Sequence, residues 1–303
     1  MPELPEVETI RKQLDTALLG CVFSWVEVRL VKQIRSMSAS VFSKYIKGTR
    51  VTGVKRRAKM LAIETDKGYI VFHLKMTGQI IYQDKKLIRE KQKLHKVYSS
   101  ALLGGGHPIR GSLENLPNKY SHVIFSFKNG SKLFFNDTRQ FGWVTFVKSE
   151  QEIENLSAVL LGPEPLSKDF TLEGFIRCMT GRPNSRVYQA LLDQKCVVGV
   201  GNIYANESLY VAGIRPTRRN KDILASEYKK LYGAIIKLLT KAIEMGGTST
   251  SDYFDALGNV GKYSSKLKVY QKAGKPCARK CGGEVKRMVI GARSSFYCLK
   301  CQK

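Results

Sequence analysis

Residues 193–209 read DQKCVVGVGNIYANESL, and residues 277–301 read CARKCGGEVKRMVIGARSSFYCLKC. The first stretch predicts a Gly-rich turn, VVGVGN, running into a helix over about 202–212. Asn202 opens that helix and has the side chain of an N-cap residue. The second stretch begins and ends on a cysteine pair, Cys277 with Cys281 and Cys298 with Cys301, with 16 residues between the pairs. Two short pairs so separated let two turns converge on one tetrahedral zinc through four thiolates. Such a set is closed and leaves no position for a substrate, so the expected metal is one structural Zn2+. Residues 264–303 hold eleven Lys/Arg against one acid, Glu284, a charge that suits a surface lying on phosphates.

Upstream of these stretches the apolar periodicity changes character twice. Pro5 to Leu19 predicts a helix, with Val7, Ile10, Leu14 and Leu18 on one face and Gly20 as its stop. From about 21 to 147 the alternation has period two, in YIVFHLKM (69–76), SHVIFSF (121–127), KLFFN (132–136) and GWVTFV (142–147). That pattern predicts a β-sandwich or barrel behind a single leading helix. Residues 84–118 interrupt it: DKKLIREKQKLHK (84–96) suggests a short basic helix, and LLGGGHPIRGSLENLP (102–117) a mobile loop. After about 150 the chain turns helical, with LGPEPLSKDF (161–170) as a linker and helices near 171–180, 184–193 and 202–212. The longest runs from Ser226 to Met245 on a face of Tyr228, Leu231, Ile235, Leu238, Leu239 and Ile243, and Gly246-Gly247 ends it.

The 303 residues carry 51 Lys+Arg against 25 Asp+Glu, a net charge of +26. A surplus of that size repels itself unless an anion lies close, and nucleic acid is the first partner to expect. A membrane fits poorly, because no apolar run approaches the ~20 residues a spanning helix needs. The acidic start, MPELPEVETI, is neither a signal nor a transit peptide. With no secretion signal, seven cysteines argue for a reducing compartment and a metal site rather than a disulfide scaffold. Cys21, Cys178 and Cys196 then stand as isolated small core residues. If Met1 is removed, Pro2 acquires a free secondary amine, and an α-amine has an ordinary pKa of about 8, so part of it is neutral and nucleophilic. Taken alone, Pro-Glu-Leu-Pro-Glu is an ordinary acidic helix start that complements the macrodipole.

The full string is more specific. MPELPEVETIR (1–11) resembles the start of the formamidopyrimidine-DNA glycosylases, bacterial enzymes for 8-oxoguanine and ring-opened purines. The resemblance continues, in the family's order, through RRAKML (56–61), HLKMTG (73–78), NDTRQFG (136–142), LGPEPL (161–166), residues 193–209, AGIRP (212–216) and FYCLKCQK (296–303). It implies an α+β multidomain fold. Residues 1–150 would be a catalytic β-sandwich domain behind an N-terminal helix. Residues 151–263 would be a helix–two-turn–helix domain, with TSTSDYFDALGNVGKY (248–263) as a lesion-capping loop. Residues 264–303 would be a β-hairpin zinc finger.

It also implies roles. Pro2 attacks the sugar C1′ and forms a Schiff base, Glu3 is the general acid, and Glu6 supports the same site. Lys59 contacts phosphate and donates a proton in β-elimination, and Arg293 grips the phosphates flanking the lesion and assists δ-elimination. Met76, Arg139 and Phe141 fill the space left by the flipped base, and Asn202 contacts the backbone. The implied partner is damaged double-stranded DNA, bound by a monomer in the bacterial cytoplasm. The chain departs from the family pattern at Gln140, where a second Arg is usual, and in the three-residue spacing of the first cysteine pair. It departs again at Tyr120-Ser121-His122, where His-x-His is usual and Tyr120 takes the place of a DNA contact. The nearest alternative is an endonuclease VIII-like glycosylase for oxidised pyrimidines. Those enzymes usually begin Pro-Glu-Gly-Pro-Glu, whereas this chain has Leu4, and they tend to lack the full Met/Arg/Phe set. The alternative of another class is a zinc-finger DNA-binding protein without enzymatic activity.

Overall fold

Helix α1 spans Leu4–Leu18. Glu3 precedes it in extended backbone, and a reciprocal capping box with Glu6 satisfies two of the amides that every helix start leaves without partners. Pro5 lies in the first turn, and Gly20, at a φ of 79°, turns the chain away at the end. Val7, Ile10, Leu14 and Leu18 are all buried, as their spacing predicts.

The structure is a computed structural model that describes residues 2–85, 102–106, 116–157, 160–249 and 261–303. It divides into two units, residues 1–156 with 245–262, and residues 157–244 with 263–303. In the first unit the strands are β1 (Phe23–Val28), β2 (Val51–Arg57), β3 (Met60–Thr65), β4 (Gly68–His73), β5 (Gly78–Gln83), β6 (Leu102–Gly106), β7 (Ser121–Phe127), β8 (Lys132–Asp137) and β9 (Trp143–Val147). They form a five-stranded sheet in the order β1-β7-β8-β5-β6 and a four-stranded sheet in the order β2-β3-β4-β9. Their strand pairings are antiparallel. The inner faces of both sheets and the apolar face of α1 share one core. Phe72 of β4 meets the rings of Phe125 and Phe135 from the other sheet edge-on, each at 5.7 Å. This is the β-sandwich behind a helix that the period-two pattern predicts.

Two elements depart from that reading. Residues Ala39–Ile46 form a second helix, α2, capped by Ser38 and burying Phe42 and Ile46. Two turns offer a single i,i+4 apolar repeat, too little to stand out inside a strand pattern. Residues Leu102–Gly106, expected as loop, form strand β6 against β5. A ladder needs only backbone groups, and glycine is required at its end: a Cβ on Gly106 would lie 2.3 Å from the Gly78 carbonyl oxygen. The short helix expected over 84–96 and the centre of the capping loop lie outside the described residues. A short helix, α3 (Glu150–Asn155), capped by Ser149, follows β9.

The second unit contains α4 (Leu172–Thr180), α5 (Val187–Leu192), α6 (Asn202–Ala212), α7 (Ala225–Glu244) and the hairpin β10 (Val285–Ile290)–β11 (Arg293–Cys298). Helix α7 buries Tyr228, Leu231, Ala234, Ile235, Leu239 and Ala242, so two alanines take the places expected for Leu238 and Ile243. Cys178 of α4 and Cys196 are joined in a disulfide, with Cα atoms 5.5 Å apart. They were expected as separate core residues. Their separation of 18 in sequence matches no linkage pattern, and only the fold brings them together.

Candidate active site

Pro2, Glu3 and Glu6 lie together at the buried start of α1. One oxygen of the Glu6 carboxylate accepts the Glu3 backbone N–H at 2.8 Å, and the other accepts the Thr248 N–H at 2.8 Å. The acidic helix start therefore does more than complement a dipole. It fixes the residue after Pro2 and ties it to the segment after α7.

Lys59 sits in the two-residue turn between β2 and β3, directly after Ala58 at a φ of 53°, and its side chain is buried. The turn is fastened to α1 by Arg56, which donates to Glu8 at 2.9 Å and to the Ala58 carbonyl at 2.9 Å. His73 carries Lys59, Lys75 and Arg35 around it. Burial first, and then these three cations, push its pKa down to about 3. Its Nδ1 accepts the Lys75 backbone N–H at 3.0 Å, so the neutral ring keeps its proton on Nε2. The ring thus carries an Nε2–H donor among three cations.

Met76, Arg139 and Phe141 are all exposed, Met76 by 42% and Phe141 by 55%, although each apolar side chain read alone would belong in a core. The Arg139 guanidinium lies 4.8 Å above the Phe141 ring. Their two loops are held by one buried carboxylate, Asp137. It accepts the Thr77 hydroxyl and the Arg139 N–H on one oxygen and the Gly142 N–H on the other, at 2.5, 3.2 and 2.6 Å. Tyr120 stands half-exposed in the turn before β7, with its carbonyl accepting the Asp137 N–H at 3.1 Å. Lys119 lies 5.2 Å from the Tyr120 ring.

In the second unit Asn202 is the first residue of α6, and the N-cap is Gly201, not Asn202 as expected. The Asn202 side chain does not cap because its oxygen is already taken. It accepts from the Tyr188 hydroxyl and, at 3.0 Å, from the Asn206 amide. Asn206 in turn accepts from the Ser295 hydroxyl at 2.8 Å and from the Phe296 N–H at 2.6 Å. Arg293 opens β11 two residues earlier and is exposed. Buried Glu207 accepts three successive backbone N–H groups, those of Lys268, Val269 and Tyr270, at 2.9–3.0 Å, and so clasps the approach to the hairpin.

The four cysteines of the hairpin meet. Their sulfurs all lie within 4.8 Å of one another, with Cys277–Cys301 and Cys281–Cys298 each at 3.6 Å. Four thiolates about 2.3 Å from a tetrahedral zinc stand about 3.8 Å apart, so the set fits one ion. Tyr210 adds a hydroxyl 3.3 Å from the Cys277 sulfur. The third residue in the first pair's spacing is accommodated.

His73, Asp137, Tyr188, Asn206 and Glu207 are the residues that motif reading passes over. His73, Asp137, Asn206 and Glu207 all lie inside the quoted blocks, and only Asp137, an acid opening the tight DTRQFG turn, carries a local signal that could have marked it.

Model descriptions of three protein families match the chain. They are the formamidopyrimidine-DNA glycosylase N-terminal domain over residues 1–144, the formamidopyrimidine-DNA glycosylase H2TH domain over 161–253, and the zinc finger found in FPG and IleRS over 274–303. The formamidopyrimidine-DNA glycosylase of Pelotomaculum thermopropionicum is 39% identical over 305 residues, covering 100% of this chain and 99% of that protein. That of Bacillus licheniformis is 35% identical, with 100% of both covered. Among solved structures, a variant of the Lactococcus lactis enzyme with Fapy-dG containing DNA matches at a TM-score of 0.84 and 28% identity, covering 100% of both chains. The Lactococcus lactis enzyme with abasic-site DNA matches at a TM-score of 0.83 and 28% identity, covering 99% of both.

Proposed function

The chain belongs to the formamidopyrimidine-DNA glycosylase family, and from that premise we propose that Pro2, freed of Met1, is the nucleophile with which it works. The protein is a base-excision-repair DNA glycosylase and abasic-site lyase that acts on damaged double-stranded DNA and carries one structural zinc. The observation that carries the site assignment is the pair of hydrogen bonds accepted by the Glu6 carboxylate. It pins Glu3, and with it the adjoining Pro2, at the buried start of α1.

The chemistry runs on the chain's own groups. The Pro2 nitrogen forms a bond to C1′ as the C1′–N9 bond breaks, and the base departs with that electron pair and takes a proton. The attached nitrogen, now cationic, gives its N–H proton to the departing base, Glu3 protonates the ring oxygen O4′, the sugar opens, and the freed nitrogen lone pair completes the iminium. The iminium acidifies C2′–H. Loss of that proton expels the 3′ phosphate, with Lys59 supplying a proton, and a second elimination expels the 5′ phosphate, with Arg293 on it. Lys59, beside neutral His73, serves as a phosphate contact. Asn202, Arg293 and the basic finger, whose fold the zinc sustains, serve as phosphate contacts as well.

Met76, Arg139 and Phe141 occupy the stack where the lesion was, and Tyr120 stands close to their loops as a further DNA contact. The exposure of all three fillers supports excision of oxidised purines over the pyrimidine-directed alternative. We assign residues 1–150 to catalysis, 151–263 to the helix–two-turn–helix and capping loop, and 264–303 to the finger. The enzyme acts as a monomer in the cytoplasm. Among the described residues no helix is long and apolar enough to cross a membrane. Borohydride trapping on an 8-oxoguanine duplex tests the reading. A covalent complex should form with the parent and vanish in Pro2→Gly, while a fully active Pro2→Gly variant overturns it.

A further inference from the structure

We propose that Tyr188 and Asn206 are positioning residues for DNA binding: they turn the Asn202 amide so that its NH2 faces outward, and they fasten it to the strand that begins at Arg293. The inference rests on the reading of Asn202 as a phosphate contact and adds how that contact is made.

The polarity of the network follows from groups whose roles are fixed. The Phe296 backbone N–H can only donate, so the Asn206 atom 2.6 Å away is its oxygen. The Asn206 NH2 must then point the other way, where it meets the Asn202 carbonyl at 2.6 Å, a group that can only accept. The same NH2 lies 3.0 Å from the Asn202 side chain, and the atom it faces there must be oxygen. The Tyr188 hydroxyl donates to that same oxygen. Two donors converging on Oδ1 leave one orientation for the amide, and Nδ2 projects away from both as a donor. Phosphate oxygens accept and never donate, so the outward group is the one a DNA backbone needs.

The network also spans two elements. Asn206 is fully buried, and its oxygen holds both Ser295 and Phe296 of β11. The Tyr188 oxygen also lies 3.3 Å from the Ser294 carbonyl, next to Arg293, although its one proton goes to the nearer Asn202 oxygen. A helix start and a finger strand are thus set in one register by side chains that are themselves fully buried.

The test is a mutant cycle on binding to a duplex carrying a tetrahydrofuran abasic analogue, with zinc content and thermal midpoint measured alongside. Tyr188→Phe keeps the ring and removes one donor. Asn206→Asp keeps the acceptor for Phe296 and Ser295 but puts an oxygen where the NH2 faced Asn202. Tyr188→Phe should weaken binding about three- to tenfold, the loss of one buried hydrogen bond, and Asn206→Asp by at least as much, since it removes the bonds to both Asn202 oxygens. Each should have no further effect once Asn202→Ala is present. Zinc stoichiometry should stay at one, and the salt dependence should not change, because a neutral amide displaces no counterion. If Asn202→Ala weakens binding while Tyr188→Phe and Asn206→Asp bind as the parent, the positioning role is wrong. If their losses add fully to that of Asn202→Ala, the residues are merely structural and the proposal fails. If Asn202→Ala itself binds as the parent, the underlying phosphate reading has failed. Should Asn206→Asp not fold, Tyr188→Phe alone decides.

Discussion

The Glu6 carboxylate, in the first turn of α1, is hydrogen-bonded to the backbone amide of Thr248, 242 residues further along the chain. Both of its oxygens are committed to backbone N–H groups, one at Glu3 and one at Thr248. A carboxylate suits this place because it accepts on both sides. Glu6→Gln offers one oxygen and one NH2, so a donor must face a donor at one end. Removing a buried bond and stranding its partner costs about 1–3 kcal/mol. The variant should lose a few degrees of thermal midpoint, and its borohydride trapping should slow by roughly tenfold, the rate equivalent of about 1.4 kcal/mol. Parent-like trapping and stability together would remove Glu6 from the site.

Asp137 does for the filler loops what Glu6 does for the helix start. Its two oxygens hold Thr77, Arg139 and Gly142, and so place Met76 and Phe141 by holding the residues beside them. In Asp137→Asn one of these donors faces an NH2. A loss of about 1–3 kcal/mol in stability is expected. Affinity for lesion duplex should fall more than affinity for undamaged duplex, because only the former needs the fillers in register. Equal losses on the two duplexes would count against a placing role for Asp137.

The helix α1, the long helix α7 and the cysteine set were legible because each rests on a local regularity, an apolar period or a short spacing. The family blocks point to Pro2, Glu3 and Lys59 in the same local way, and the position five residues before Cys298 points to Arg293. What escaped is what depends on partners distant in sequence. Asn202 looks like an N-cap until Tyr188 and Asn206 are seen to occupy its oxygen. Glycines 104–106 look like a loop until β5 is found to supply their ladder. Cys178 and Cys196 look unrelated until α4 and the turn after α5 meet. His73 looks like a strand residue with an ordinary imidazole until its cations are counted.

That histidine makes a pH prediction. Its folded pKa is depressed to about 3, against about 6.5 in an unfolded chain. Above pH 6.5 the ring is neutral in both states, and it contributes no pH dependence. As pH falls from about 6.5 towards 3 the unfolded chain takes up a proton that the folded one refuses, so stability declines across that window. His73→Gln should remove this part of the decline. In nitrogen NMR the His73 ring should show the neutral Nε2–H form from pH 5 to 8 without DNA. A bound phosphate should raise its pKa. Titration near 6.5 in the free protein would refute the cationic cluster as described.

The zinc makes a prediction that does not pass through catalysis. Cys277, Cys281, Cys298 and Cys301 should bind one zinc per chain, and Cys298→Ser should lose it. Because structural zinc binding is coupled to folding, a strong chelator should unfold the hairpin and weaken duplex binding with it. The first unit has its own core, so its far-ultraviolet strand signature should survive. Full DNA affinity in protein verified to be metal-free contradicts the assignment.

Arg139 and Arg293 are both exposed arginines, and the proposed roles separate them by salt. In the proposed role Arg293 grips phosphate, and each neutralised phosphate contributes about −0.9 to the slope of log K against log salt. If about six phosphates are neutralised, the parent slope is about −5. Arg293→Ala should make it shallower by about one unit and leave any preference for the base opposite the lesion intact. Arg139 stacks on Phe141, and in its proposed role it enters the vacated position, where it would meet a base edge and displace no counterion. Arg139→Ala should leave the slope almost unchanged and blunt discrimination among opposite bases, where one good contact is worth about 1–3 kcal/mol. Salt titrations of both variants on duplexes that differ only in the opposite base separate the two effects. If both variants lose slope equally, or both lose discrimination equally, the division between stack and backbone is wrong.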